Sequence, residues 1–266
     1  MYSNKNIIFF DVDGTLVDEK TLEFPDSARL AIEKARANGH LAFVNTGRTA
    51  CQLDPIKALM DFDGFVCGCG TYVEINNEPI FHKALDNEIT QKLIKALVKY
   101  NLDAALEGID GVYYDHIENI VHPEILRTRE IHLNENVCHS SFIDMNDISI
   151  DKLVLFIREN SDFDSFFEEF KDIFDFIKRS DDFYELIPLN HSKATGIQLL
   201  IDHLGIPFEN TYAIGDSSND LTMLQYVKNS IAMGNSSPEL FDLVTFVTKD
   251  IHDNGIEYAL SHYNML

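Results

Sequence analysis

The sequence predicts an α/β protein, a doubly wound parallel-sheet core with a second α/β domain inserted into it. Three observations predict this class. Short, wholly apolar runs at Ile7 to Phe10, Leu41 to Val44 and Tyr212 to Ile214 each stop in a polar, glycine-containing loop, as buried parallel strands do. Apolar residues at helical spacing fill the stretches between, so strand and helix alternate as in right-handed parallel crossovers. The rhythm occupies both ends of the chain and is interrupted by a long central stretch. At about 150 residues per domain, 266 residues suit one large or two modest domains.

Ile7 to Phe10 runs into Asp11-Val12-Asp13-Gly14-Thr15, and chemistry often sits at such a carboxyl end. Pro25 to Asn38 carries Ala28, Leu30, Ala31 and Ala35 at helical spacing and stops at Gly39, where a C-terminal glycine belongs. Leu41 to Val44 reads as the second strand. It opens into Asn45-Thr46-Gly47-Arg48, and a further helical stretch is expected from there to Met60. From about His82 to Tyr184 the chain has strands and helices of its own, including Lys152 to Ile157. Phe163, Phe166, Phe167 and Phe170 recur at i, i+3, i+4 and i+7, which predicts a helix face packed on the insert's own sheet rather than a ligand box. The core rhythm then resumes: helix 192–203, strand Tyr212 to Ile214, the acidic turn Gly215-Asp216-Ser217-Ser218-Asn219-Asp220, a helix from Leu221 and a strand Ser230 to Met233. The expected boundaries are 1–81 with 185–266 for the core and 82–184 for the insert.

Hydrophobic residues at 45% and charged residues at 24% are globular fractions, which exclude a disordered, collagen-like or purely coiled-coil chain. Lys+Arg 21 against Asp+Glu 44 leaves a net charge of -23, a field that repels phosphate backbones and anionic lipid surfaces. Neither nucleic acid nor membrane is therefore expected as a partner, and an anionic substrate would need local cations or a metal. The four cysteines form no disulfide framework, the N-terminus has no basic-then-apolar export signal, and no apolar run spans a membrane. A soluble protein of the reducing cytoplasm is expected; the oligomeric state is not legible.

Asp11 and Asp13 stand two residues apart at a strand end, and if extended geometry persists their carboxylates share one face. Burying both calls for a cation or a shared proton, although a solvated turn or a helix N-cap would explain the pair equally well. Asp216 and Asp220 form a second acidic cluster at another strand end, with Asn219 beside them. Two such clusters can converge on a hard divalent ion, and Mg²⁺ takes one or two carboxylates together with substrate phosphate oxygens. Thr46 and the backbone around Gly47 could hold a phosphoryl group, as could Lys193 at the start of a helix, although a turn threonine and a surface lysine are the ordinary readings of each alone. A carboxylate facing a bound phosphate could form an aspartyl-phosphate, with a second carboxylate protonating the leaving alcohol and then deprotonating water.

These residues together resemble the haloacid dehalogenase-like (HAD) phosphohydrolases, and within them the Cof-type branch with a large α/β cap. The resemblance rests on Phe9-Phe10-Asp11-Val12-Asp13-Gly14-Thr15-Leu16, Asn45-Thr46-Gly47-Arg48, Ser192-Lys193, and Gly215-Asp216 with Asn219-Asp220 and Met223, in family order. It implies a Rossmann-like core and an inserted cap domain. It also implies a Mg²⁺-dependent phosphatase acting on a small phosphorylated metabolite such as a sugar or cofactor phosphate. In that pattern Asp11 is the nucleophile and Asp13 the general acid/base; Asp11, Asp13 through its carbonyl, and Asp216 hold the metal, and Asp220 orients metal waters and Lys193. Thr46, Gly47, Lys193 and Asn219 surround the phosphoryl group. A phosphosugar mutase on the same acidic core and a non-catalytic phospho-ligand-binding regulator are the alternatives. Cys69-Gly70-Thr71 stands where the family has Asn-Gly-Ala, Asn190 where a glycine is common, and His252 near a common asparagine.

Other motifs read as structural. Cys67-Gly68-Cys69 lacks the second ligand pair of a zinc site and suits a buried strand end. His132, Cys138 and His139 have no metal-ligand spacing. Arg127, Arg129, Lys178 and Arg179 balance the acidic surface, or one of them reaches a substrate's distal group.

Overall fold

The computed structural model describes residues 5–139, 141–145 and 147–266. The chain forms two compact units, one of residues 1–47, 55–82 and 192–266, the other of 48–54 and 83–191.

The first unit is built on an eight-stranded sheet in the order Phe246–Val247, Asn229–Ala232, Thr211–Gly215, Ile7–Phe10, Leu41–Asn45, Gly64–Cys67, Tyr72–Ile75, Glu78–His82. The first six strands are parallel, and the last two add antiparallel pairings. The expected doubly wound parallel core is borne out. Ile7–Phe10 is buried at every position because both sheet faces are covered. Ile7 and Phe9 meet Ile197, Leu200 and Ile201 of the helix Lys193–Leu204 on one face, and alternation turns Ile8 and Phe10 to the other. The helices Asp26–Ala37 and Gly255–His262 pack on each other.

Two sequence expectations change here. The helical stretch to Met60 is instead a 3₁₀ turn, Ala50–Gln52, and a single helical turn, Asp54–Lys57. The Gln52 side chain folds back to accept the Thr49 N–H at 2.8 Å, and Pro55 has no N–H with which to continue a helix. Strands Tyr72–Ile75 and Glu78–His82, which the apolar pattern did not mark, join through Asn76 and Asn77 at φ 51 and 65, the paired left-handed geometry of a tight hairpin loop.

The second unit carries a six-stranded sheet in the order Phe174–Lys178, Phe183–Pro188, Lys152–Ile157, Leu102–Glu107, Val112–Tyr113, Cys138–His139. Its pairings are antiparallel except the last. In the helix Phe163–Phe170, Phe166 and Phe170 are fully buried among Leu93, Leu97, Leu155 and Leu186, Phe163 packs beside them, and the partly exposed Phe167 ring lies 5.0 Å from that of Phe176 in the same unit's sheet. The boundary expected at 184 falls inside strand Phe183–Pro188, whose pairing with Lys152–Ile157 carries this unit on to His191.

The strands that precede Asp11, Asn45-Thr46 and Asp216 are neighbours in one parallel sheet, so their carboxyl ends open on the same edge. No helix among the described residues is long and apolar enough to cross a membrane.

Candidate active site

All of the acidic and phosphate-binding candidates belong to the first unit. Asp11 extends its strand by one residue, its N–H donating to Ile214 O at 3.0 Å. The chain then turns sharply, and the Val12 carbonyl accepts N–H groups from Thr15, Leu16 and Val17 at 3.2, 2.9 and 2.9 Å. Within this turn Gly14 has φ +85, and a Cβ there would lie 2.3 Å from Asp216 Oδ2. Only glycine allows the two acidic loops to approach so closely.

Ser192 caps the helix Lys193–Leu204 in a capping box with Thr195, which places Lys193 in the first turn. Lys193 is only 1% exposed, and its Nζ donates to Asp11 Oδ1 at 2.5 Å and to Asp220 Oδ1 at 2.6 Å. The other oxygen of Asp220 accepts the backbone N–H groups of Asp216 and Ser217 at 2.9 and 3.1 Å. Both Asp220 oxygens are therefore committed to N–H donors, while among the described residues the Asp216 carboxylate accepts only a long bond from Thr15 Oγ1 at 3.4 Å. Oxygens of Asp11, Asp216 and Asp220 lie within 4.8 Å of one another.

Three carboxylates sharing one ammonium leave an excess of buried negative charge. Burial, and then the Asp220 charge, push the Asp11 carboxyl well above its usual range despite Lys193. The same two causes, with Glu19, push Asp216 up to about 7. Burial pulls the Lys193 ammonium down, but Asp11 and Asp220 more than reverse this and hold it charged. A hard divalent cation fits such a set of oxygens, since it would offset the negative charge that Lys193 leaves unbalanced.

The predicted residues separate accordingly. Asp11, Lys193, Asp216 and Asp220 form one contact group. Asp13 is partly exposed in the opening turn, and its carboxylate is not one of the three that converge. Thr46 is buried at the neighbouring strand end, with its N–H donating to Val66 O at 2.9 Å, and Gly47 beside it is partly exposed. Asn219 lies in the 3₁₀ turn Ser218–Asp220, where its Oδ1 accepts the Ser217 hydroxyl at 2.6 Å.

Asn235 was not marked in the sequence, and Asn45 was marked only as part of Asn45-Thr46-Gly47-Arg48, with no role of its own. Asn235 donates to Gly14 O at 2.8 Å and accepts the Ile251 N–H at 3.1 Å, tying the opening turn to a distant loop. Asn45 donates to the Lys193 carbonyl at 3.0 Å. Among the family departures, Cys69 takes φ 54 and ψ 44, a left-handed conformation that asparagine adopts more readily. His252 lies 3.1 Å from Asp18 Oδ2.

A family model described as haloacid dehalogenase-like hydrolase matches residues 8–260. The chain belongs to this family. The haloacid dehalogenase-like chain is 28% identical over 270 residues to YkrA, a candidate phosphatase of Bacillus subtilis (strain 168), covering 99% of both proteins. It is 25% identical over 283 residues to the 5-amino-6-(5-phospho-D-ribitylamino)uracil phosphatase YitU of the same organism, again covering 99% of each. The HAD subclass IIB sugar phosphatase BT4131 shares its fold, with a TM-score of 0.83 at 24% identity over 98% of this chain and 100% of that one. The expected family is thus borne out, and this haloacid dehalogenase-like protein is a phosphatase.

Proposed function

We propose that this phosphatase hydrolyses small phosphomonoesters, of sugars or of cofactors, through an aspartyl-phosphate on Asp11 and with Mg²⁺ bound. The observation that carries the reading is Lys193 bridging Asp11 and Asp220 beside Asp216, at the carboxyl ends of neighbouring parallel strands. Mg²⁺ would be held by Asp11, Asp216 and the Asp13 carbonyl, where it offsets negative charge on the phosphoryl oxygens. Asp220, with both oxygens committed, orients Lys193 and the Asp216 backbone.

In the first half-reaction a carboxylate oxygen of Asp11 attacks phosphorus, the ester P–O bond breaks, and Asp13 donates its proton to the departing alkoxide. In the second, Asp13 takes a proton from water as the water oxygen attacks phosphorus, the acyl phosphate P–O bond breaks, and inorganic phosphate leaves with Asp11 regenerated. Lys193, the Thr46 hydroxyl and the backbone N–H of Gly47 bind the phosphoryl oxygens, and Asn219 borders them. The relative named for 5-amino-6-(5-phospho-D-ribitylamino)uracil supports a substrate whose phosphate sits on a polyol chain. In this reading the inserted unit is a cap that selects the leaving group.

Phosphate release from p-nitrophenyl phosphate and from a panel of metabolite phosphates, with and without Mg²⁺, tests the proposal. Turnover should require the metal and vanish in Asp11→Asn with the fold retained. Undiminished turnover in Asp11→Asn would exclude the nucleophile, and isomerised product with little free phosphate would point to a mutase.

A further inference from the structure

Lys193 meets two carboxylates, one of which, Asp11, changes its charge if it is esterified in each cycle, so the ammonium cannot be located by its carboxylate partners alone. Its backbone has a separate anchor. Asn45 is the last residue of the strand Leu41–Asn45, is fully buried, and donates from Nδ2 to the main-chain carbonyl of Lys193 at 3.0 Å. That contact joins residues 148 positions apart and places the strand leading to Thr46 against the helix that begins at Lys193.

The amide makes this bond at a cost. With the amino group turned to the Lys193 carbonyl, Asn45 Oδ1 is left buried without a hydrogen-bond partner among the described residues. Such an orphan is disfavoured, and a leucine or valine in this apolar strand would avoid it. A buried polar group retained under that penalty points to a geometric task rather than to stability.

We propose that Asn45 is a positioning residue for the phosphoryl-transfer reaction, holding the Lys193 backbone so that its ammonium stays between Asp11 and the phosphoryl group throughout the cycle. This rests on the proposed function, in which Lys193 binds the phosphoryl oxygens. Asn45 touches neither the substrate nor the reacting atoms in this account; it acts through the Lys193 carbonyl.

Neither valine nor leucine offers a donor toward the Lys193 carbonyl, and both suit this apolar strand. Asn45→Val should keep or raise the melting temperature while lowering kcat for p-nitrophenyl phosphate by about tenfold or more, because displacement of a charged group costs more in the transition state than in the ground state. KM should change far less. Should Asn45→Val fail to fold, Asn45→Leu makes the same comparison. Wild-type kcat in the folded variant, or a loss confined to KM, overturns the assignment. If those results accompany an inactive Asp11→Asn, the phosphatase reading survives and only the role of Asn45 fails. If the wild-type enzyme releases no phosphate from any ester, it is the underlying reading that fails.

Discussion

Lys193 Nζ stands 2.5 Å from Asp11 Oδ1, with the two side chains only 1% and 5% exposed. A buried pair of this kind is weak evidence of net stabilisation, but removing one partner strands the other. Lys193→Met leaves Asp11, Asp216 and Asp220 converging without their ammonium. We expect a loss of about 3–5 kcal/mol of metal-free stability by urea unfolding, together with loss of phosphate release. A Lys193→Met protein as stable as wild type would show that the lysine does not neutralise this cluster.

The excess negative charge at Asp11, Asp216 and Asp220 predicts stabilisation by divalent cations. Saturating Mg²⁺ should raise the melting temperature, by about 2.7 kcal/mol of stability at a hundred times its Kd. Asp216→Asn should remove most of this response, since it takes away the carboxylate whose oxygens are least committed to protein donors. An equal Mg²⁺ response in the variant would place the ion elsewhere.

Gly14 and Gly39 share a left-handed backbone, at φ +85 and +95, but differ in surroundings. A Cβ on Gly39 meets nothing within 4 Å, so Gly39→Ala carries only backbone strain, about 1 kcal/mol. On Gly14 it would collide with the Asp216 carboxylate. Gly14→Ala should therefore lose phosphatase activity and the Mg²⁺-induced thermal shift, whereas Gly39→Ala keeps both. Full activity in Gly14→Ala would contradict the close approach of the two acidic loops.

In the second unit, the Gln52 Oε1 accepts the Thr49 N–H, so its amino group faces His132 Nε2 at 2.9 Å. That nitrogen must accept, which puts the neutral ring's proton on Nδ1, facing the Tyr114 oxygen at 2.6 Å. Burial, and then the charges of Arg48 and Lys152, push His132 down to about 4 from its usual 6.5. The unfolded chain then binds a proton between those values that the folded chain does not, so stability is constant above pH 6.5 and falls as pH drops toward 4. The decline from this group should be on the order of 2 kcal/mol in denaturant titrations, and His132→Gln should flatten it. A variant whose pH profile superimposes on the wild-type profile would assign the acid sensitivity to other groups.

Much of this was legible in the chain itself. Apolar runs ending in acidic or glycine-containing loops marked the strands Ile7–Phe10, Leu41–Asn45 and Thr211–Gly215, because strands buried on both faces need no alternation. The turn at Ala50–Gln52 was not legible, since a side chain folding back on the backbone leaves no periodic trace. Nor was the full strand Phe183–Pro188, whose extent depends on the partner it pairs with.

The sequence by itself determined the alternation of strand and helix, the start of a helix near Lys193, and the presence of acidic loops at strand ends, because these follow from side-chain periodicity and local backbone preference. Only the tertiary structure decided that Asp216 and Asp220 converge with Asp11 while the Asp13 carboxylate does not, and that Asn45 reaches Lys193. Such meetings are set by strand order and helix packing across the whole core, and hydrogen bonds between residues far apart in the chain leave no periodic mark in it.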